Sequence, residues 1–341
     1  MRFDNIWIAG TGGTLGASVP VDEAVADGSY SADAAASTGM ISYSRSAEAP
    51  PEMAVTAGRQ AIKEAGEKGA RVDPDSLVLH SHGHFQGIDM WPAACWIARE
   101  LLGPTLNSMP MTVAAWSNGS LASLDVAAST LIARPDVPSA LITLADRFAP
   151  PSNRWYTSPG MVFGDGAAAA VVTRDTGRLR LRSLVSETDT VLEGLSRGAE
   201  PFRTAPSAEQ PDMRRRTREF LATGEVSLRD VQTRSVERTR SVVGRALEEA
   251  DVAPDGIDWL VTPFVGRTLH RESFVRHLDI APRNSLHELG LTIGHLGPCD
   301  QLYGLDHLLR NDLLSPGDRV LVIGTGMGFT FSAAVLTADG I

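Results

Sequence analysis

The stretches that can carry chemistry are two polar turns, each followed by an apolar helical run. The first is Trp116-Ser117-Asn118-Gly119, ahead of Leu121–Ile132. The second is Gly294-His295-Leu296-Gly297-Pro298-Cys299-Asp300, ahead of a further helix. A serine at a helix N-terminus lies beside free backbone amides and the positive end of the dipole. Its hydroxyl needs a base before it acts as a nucleophile. Histidine, with an unperturbed pKa of about 6.5, suits that task near neutral pH. Asp300 follows closely enough to accept from the other ring nitrogen, which fixes the tautomer and stabilises the imidazolium. Taken singly, each residue also reads as structural: Ser117 as an N-cap, His295 as a satisfied core histidine, Asp300 as a helix cap. Gly324-Thr325-Gly326-Met327-Gly328 is a sharp turn after a strand with no clear helix behind it, which argues against a dinucleotide fingerprint. Such a turn can present a backbone N–H to a developing oxyanion, or it is simply a tight turn.

Other reactive residue types fit less. His80, His82 and His84 alternate at a strand end and would share one face, an arrangement that mimics a metal site. No carboxylate or cysteine joins them locally, so no metal is expected. Cys299 follows Pro298 in the rear half of the chain and reads as a packing residue, as do Trp91 and Trp96 on a helix.

The elements that must position these residues alternate along 341 residues. The apolar share of 43% and charged share of 21% are those of a globular protein with a large core. A net charge of -10 argues against nucleic acid and against anionic membrane surfaces. Lys63 and Lys68 are the sole lysines. Cys95 and Cys299 are the sole cysteines and form no CxxC framework, so a reducing cytoplasmic compartment is expected. No leader peptide or membrane span is expected either. Strands are expected at Ile6–Gly10, Leu77–His80, Met109–Ala115, Ala140–Ala145 and Ala167–Val172. Helices are expected at Pro51–Gly66, Trp91–Leu102 and Leu121–Ile132. The second half repeats the order, so two α/β halves, 1–175 and 176–341, are expected to meet on a pseudo-twofold axis. Both polar turns then converge there, with Ser117 facing His295. Ala17–Ala49 and Glu187–Val231 interrupt the repeat and read as insertions over the sheet edges.

The stretches IAGTGG (8–13), EMAVTAGRQAIKEAG (52–66), MWPAACWIARELLG (90–103), VFGDGA (162–167) and GTGMGFTFSAAVL (324–336) resemble the β-ketoacyl-ACP synthase III family of the thiolase superfamily. The resemblance implies the five-layered αβαβα thiolase fold and a homodimer. It also exposes departures. Ser117 stands where that family carries a catalytic cysteine, Phe264 where it carries a histidine, and Gly297 where it carries an asparagine. The missing histidine and asparagine are the donors that hold a thioester carbonyl during decarboxylation of a malonyl extender. The SNG turn and the GHLGxxDQ pattern of Gly294–Gln301 are similar instead to the synthase III-type acyltransferases and starter-unit enzymes of polyketide and antibiotic pathways.

That resemblance implies a Ser117-His295-Asp300 triad, with the amides of Ser117 and Met327 as oxyanion hole. It implies acyl-CoA as substrate, no permanently bound cofactor, and a natural product or acyl carrier protein as acceptor. Arg154-Trp155 falls where related enzymes contact the nucleotide of CoA, the alternative being a solvated loop pair. Arg214, Arg215 and Arg216 suit a CoA phosphate or an acidic carrier protein, or form a solvated helix face. Acyl transfer through acyl-Ser117 is the expected activity. Starter-unit condensation with malonyl-carrier protein and non-catalytic acyl binding are its alternatives.

Overall fold

Strands that are apolar on both faces need a layer on each side. Ala167–Val172 is such a strand. Ala168, Ala170 and Val172 face one core cluster, and Ala167, Ala169 and Val171 face another. The computed structural model, which describes residues 1–205 and 209–340, supplies both layers. Its strands are β1 (Arg2–Leu15), β2 (Ala17–Pro20), β3 (Ser42–Arg45), β4 (Leu77–Ser81), β5 (Met111–Val113) and β6 (Ser139–Asp146). They continue with β7 (Gly166–Arg174), β8 (Leu179–Thr188), β9 (Trp259–Val261), β10 (Asn284–Ser285), β11 (Arg319–Gly326) and β12 (Thr330–Thr337). β2 and β3 form a small ribbon. The other strands form one continuous set in the order β10-β9-β11-β12-β8-β1-β7-β6-β4-β5.

Read outward from the β1–β8 pair, the two sides match in order and direction. β6, β4 and β5 run parallel, as do β11, β9 and β10. β7 and β12 are antiparallel to β6 and β11, and β1 and β8 are antiparallel to β7 and β12. The helices Gly119–Ala133 and Asp300–Arg310 lie in the middle. Their Leu121, Leu124, Leu302 and Leu305 share one cluster with Ile8, Ile142, Val322 and Leu336 from strands of both sides. The helix Pro50–Glu67 covers the outer face of one side through Ala54, Ala57 and Ala61. Leu228–Ala250 covers the other through Val242, Val243 and Ala246. The result is the five-layered α/β arrangement. Among the described residues no helix is long and apolar enough to cross a membrane.

Several expected boundaries move. β1 is longer than Ile6–Gly10, while Met109–Ala115 shrinks to β5 because the chain leaves the sheet for the Trp116 turn. β8 is an additional strand, in which Leu179 and Leu181 alternate with Arg180 and Arg182. The Glu187–Val231 insertion ends early, since the long helix starts at Leu228 behind its Ser227–Asp230 capping box. Residues 17–49 hold the β2–β3 ribbon and two short helices. Leu124 is fully buried between the two sides. Leu124→Ala is expected to lower unfolding free energy by about 2–5 kcal/mol in denaturant titration.

Candidate active site

Ser117 sits in a tight turn, Trp116–Asn118, that feeds the central helix at Gly119. Trp116 enters this turn at φ 48°, a left-handed conformation that costs a non-glycine residue on the order of 1 kcal/mol. Neither the Ser117 nor the Met327 amide has a backbone acceptor among the described residues. Asn118 pins the turn from below: its Nδ2 donates to Thr330 Oγ1 at 3.1 Å and Ser332 Oγ at 2.9 Å on β12. Ser120 Oγ donates to Pro298 O at 2.5 Å, which joins the two central helix starts.

His295 is held by its own backbone. Its N–H donates to Val162 O at 2.8 Å, and its carbonyl accepts from Gly164 N at 3.0 Å. A Cβ at Gly164 would lie 2.3 Å from Ile293 O, so only glycine permits this approach. The ring is buried and bridges two partners. Ser117 Oγ is 2.7 Å from Nε2, and Asp300 Oδ2 is 2.5 Å from Nδ1. A carboxylate only accepts, so Nδ1 carries the proton and Nε2 is left with a lone pair facing the serine hydroxyl. Asp300 is fully buried. Its Oδ2 also accepts from Phe264 N at 2.7 Å and its Oδ1 from Leu296 N at 2.7 Å. The three side chains singled out in the sequence are therefore brought together, and a hydroxyl aligned this way can pass its proton to the imidazole as it attacks.

A cavity of about 540 Å³ opens beside the turn. Its lining combines the apolar Trp116, Phe148, Phe163, Pro211, Met213 and Met327 with the polar His84, Ser152, Thr157, Glu193, Arg197 and Arg216. Phe163, stacked on Phe148 at 4.2 Å, leads from the His295 ring to His84.

The other expected site residues fare differently. Arg154 donates to Phe163 O at 2.8 Å and Phe148 O at 3.2 Å, pairs with buried Asp165 at 3.3 Å, and lies over the Tyr43 ring. Trp155 is buried between Tyr30 and Tyr43. Both are committed to the interior, so the nucleotide contact expected of them is withdrawn. Arg215 is partly exposed and pairs with Glu200 and Glu219. Arg214 is exposed and has no ion pair among the described residues, while Arg216 reaches the cavity wall and pairs with Glu200. β4 ends at Ser81, yet the His80 and His82 rings stay neighbours at 5.5 Å, while the His84 ring stacks on Phe148. His80 is buried between Thr143 and Gln86, and burial lowers its pKa to about 4. No group of three or more metal-ligating side chains occurs among the described residues. Burial pushes the Cys299 thiol well up, which keeps it protonated and unreactive.

Asp146 escaped the sequence reading. It ends β6, fully buried, and accepts from Gly83 N and His84 N at 2.8 Å each. This fixes the loop that carries His84 to the cavity. Its Oδ2 lies 2.5 Å from where a Cβ on Gly297 would stand, and Gly297 has φ 65°. Phe264 is equally closed off, fully buried and edge-on to Tyr303.

Comparison with known proteins agrees with this architecture. The family described as 3-oxoacyl-[acyl-carrier-protein (ACP)] synthase III matches residues 111–190, and its C-terminal counterpart matches 247–338. The mycobacterial beta-ketoacyl-[acyl-carrier-protein] synthase III of Mycobacterium tuberculosis is 24% identical over 297 residues, 85% of this chain and 81% of that protein. Among solved structures, ChlB3, described as an acyltransferase, is 32% identical at a TM-score of 0.88, covering 99% of this chain and 98% of its own. The Aquifex aeolicus 3-oxoacyl-[acyl-carrier-protein] synthase III shares the fold at a TM-score of 0.74 and 19% identity, covering 97% of this chain and 99% of its own. Fold and matches define a protein of the thiolase superfamily. Within it, the chain belongs to the 3-oxoacyl-[acyl-carrier-protein] synthase III family.

Burial raises the Asp146 carboxyl to about 7, against the two amides that favour its charge. In the unfolded chain it titrates near about 4. The native state therefore holds one more proton between these values, so folding stability falls as pH rises from about 4 to about 7 and then levels. Denaturant midpoints measured across that range are expected to show this slope, and Asp146→Asn to flatten it.

Proposed function

We propose that the protein is an acyltransferase. It moves an acyl group from acyl-CoA, through an ester on Ser117, to a hydroxyl, amine or carrier-protein thiol in natural-product biosynthesis. The observation that carries this reading is the continuous chain from Ser117 Oγ to His295 Nε2 at 2.7 Å and from Nδ1 to Asp300 Oδ2 at 2.5 Å. In the first half-reaction Ser117 Oγ attacks the thioester carbon while its proton passes to His295 Nε2. Asp300 stabilises the imidazolium. The tetrahedral oxyanion takes the free amides of Ser117 and Met327. Collapse breaks the C–S bond, and the CoA thiolate recovers the proton from His295. In the second half-reaction the acceptor gives its proton to Nε2 and attacks the ester. Ser117 leaves and is reprotonated. Ping-pong kinetics follow. The exposed Arg214 and the cavity-wall Arg216 support a phosphate-bearing donor or an acidic carrier protein, and the triad needs no resident cofactor.

The synthase relatives keep condensation as the second reading. Against it stand Phe264 and Gly297 at the positions of the two family donors, the first in the core and the second walled off by Asp146. A homodimer is part of the proposal. β5 is an open edge strand, and Met109 beside it is exposed.

Incubation with a panel of acyl-CoAs is expected to add one acyl mass to the intact protein, with no addition to Ser117→Ala. His295→Ala is expected to slow acylation by about 10²–10⁴-fold in single-turnover mass spectrometry. Malonyl-carrier protein is expected to release no CO₂; release would favour condensation, and no adduct from any CoA ester would favour a binding role.

A further inference from the structure

Next to Asp300 the chain carries a buried amide whose cost the triad does not explain. Gln301 is fully buried at the start of the central helix. Its Nε2 lies 3.3 Å from Ser117 O and 3.5 Å from Ile323 O. Its Oε1 is buried without a partner among the described residues. The orientation is fixed chemically, since turning the amide over would aim its oxygen at two carbonyl oxygens. A buried unpartnered carbonyl is destabilising, so a side chain kept only for packing would do better as an apolar residue of the same length.

Both acceptors belong to the site's machinery. Ser117 O sits on the nucleophile's own residue. Ile323 is in β11, which runs on through Gly326 into the Met327 turn. We propose that Gln301 is a positioning residue that ties the nucleophile turn to β11, and so sets the Ser117 hydroxyl and amide in register with His295 and the Met327 amide. Consecutive residues of one helix then divide the work: Asp300 orients the base and Gln301 orients the residue it deprotonates. The pull on Ser117 O also opposes relaxation of the left-handed Trp116. This inference rests on the proposed nucleophilic role of Ser117.

The test uses an alkyl fluorophosphonate, which needs no knowledge of the acyl donor. Ser117 Oγ attacks phosphorus, fluoride leaves, and the phosphonyl ester is read by intact mass. The unsubstituted protein is expected to label and Ser117→Ala not to. Gln301→Met is expected to lower the maximal labelling rate by roughly tenfold to a hundredfold. Its half-saturating probe concentration should stay within twofold of the unsubstituted value, and its melting temperature should stay well above the assay temperature, so that the protein tested is folded. Labelling of Q301M at the unsubstituted rate overturns this inference alone. Equal labelling of the unsubstituted protein and Ser117→Ala overturns the nucleophile and this inference with it. If Q301M does not fold, Gln301→Glu replaces it. Its carboxyl, held protonated between two carbonyl oxygens, keeps one donor, so its rate relative to the unsubstituted protein should be higher at pH 6 than at pH 8. A ratio independent of pH overturns the inference.

Discussion

A carboxylate with no access to solvent must find all its hydrogen bonds inside the protein. Asp300 does so with three donors: the His295 ring, the Leu296 amide and the Phe264 amide. Those donors belong to the turn before the helix and to the loop after β9. Satisfying one buried oxygen pair therefore fixes the path of two segments and the tautomer of the imidazole together. The aligned lone pair on Nε2 is a consequence of that accounting.

The serine meets this imidazole because the two central helices begin side by side. Ser120 Oγ reaches Pro298 O, and Leu302 N reaches Ser120 Oγ at 3.4 Å, so each helix start lends a group to the other. Nucleophile and base come from opposite sides of the layered strand set. The large shared cluster of Leu121, Leu124, Leu302 and Leu305 holds that seam shut. Packing energy is thereby converted into a distance at the reacting atoms.

Much of this was legible in the residue order. Ser117, His295 and Asp300 stood out because polar turns before apolar runs mark helix starts, and a repeated strand–helix order brings such starts together. Arg154 and Trp155 misled because an arginine beside an aromatic looks the same whether it faces solvent or, as here, Asp165 and two tyrosines. Asp146 and Gln301 carried no local signal. Their partners, Gly83, His84, Ser117 and Ile323, lie far off in the chain or across the seam. β8 gives only a short alternating pattern at the head of a polar segment, which is a weak strand signal.

The crowding around Gly297 bears on how such a chain diverges. With Asp146 Oδ2 2.5 Å and Phe148 Cζ 3.2 Å from the place a first side-chain atom would occupy, no larger residue fits there alone. Placing an amide side chain at that point requires position 146 to be vacated, and that releases the loop that carries His84. Positions 297 and 146 are thus locked to one another, and neither can change in size without the other.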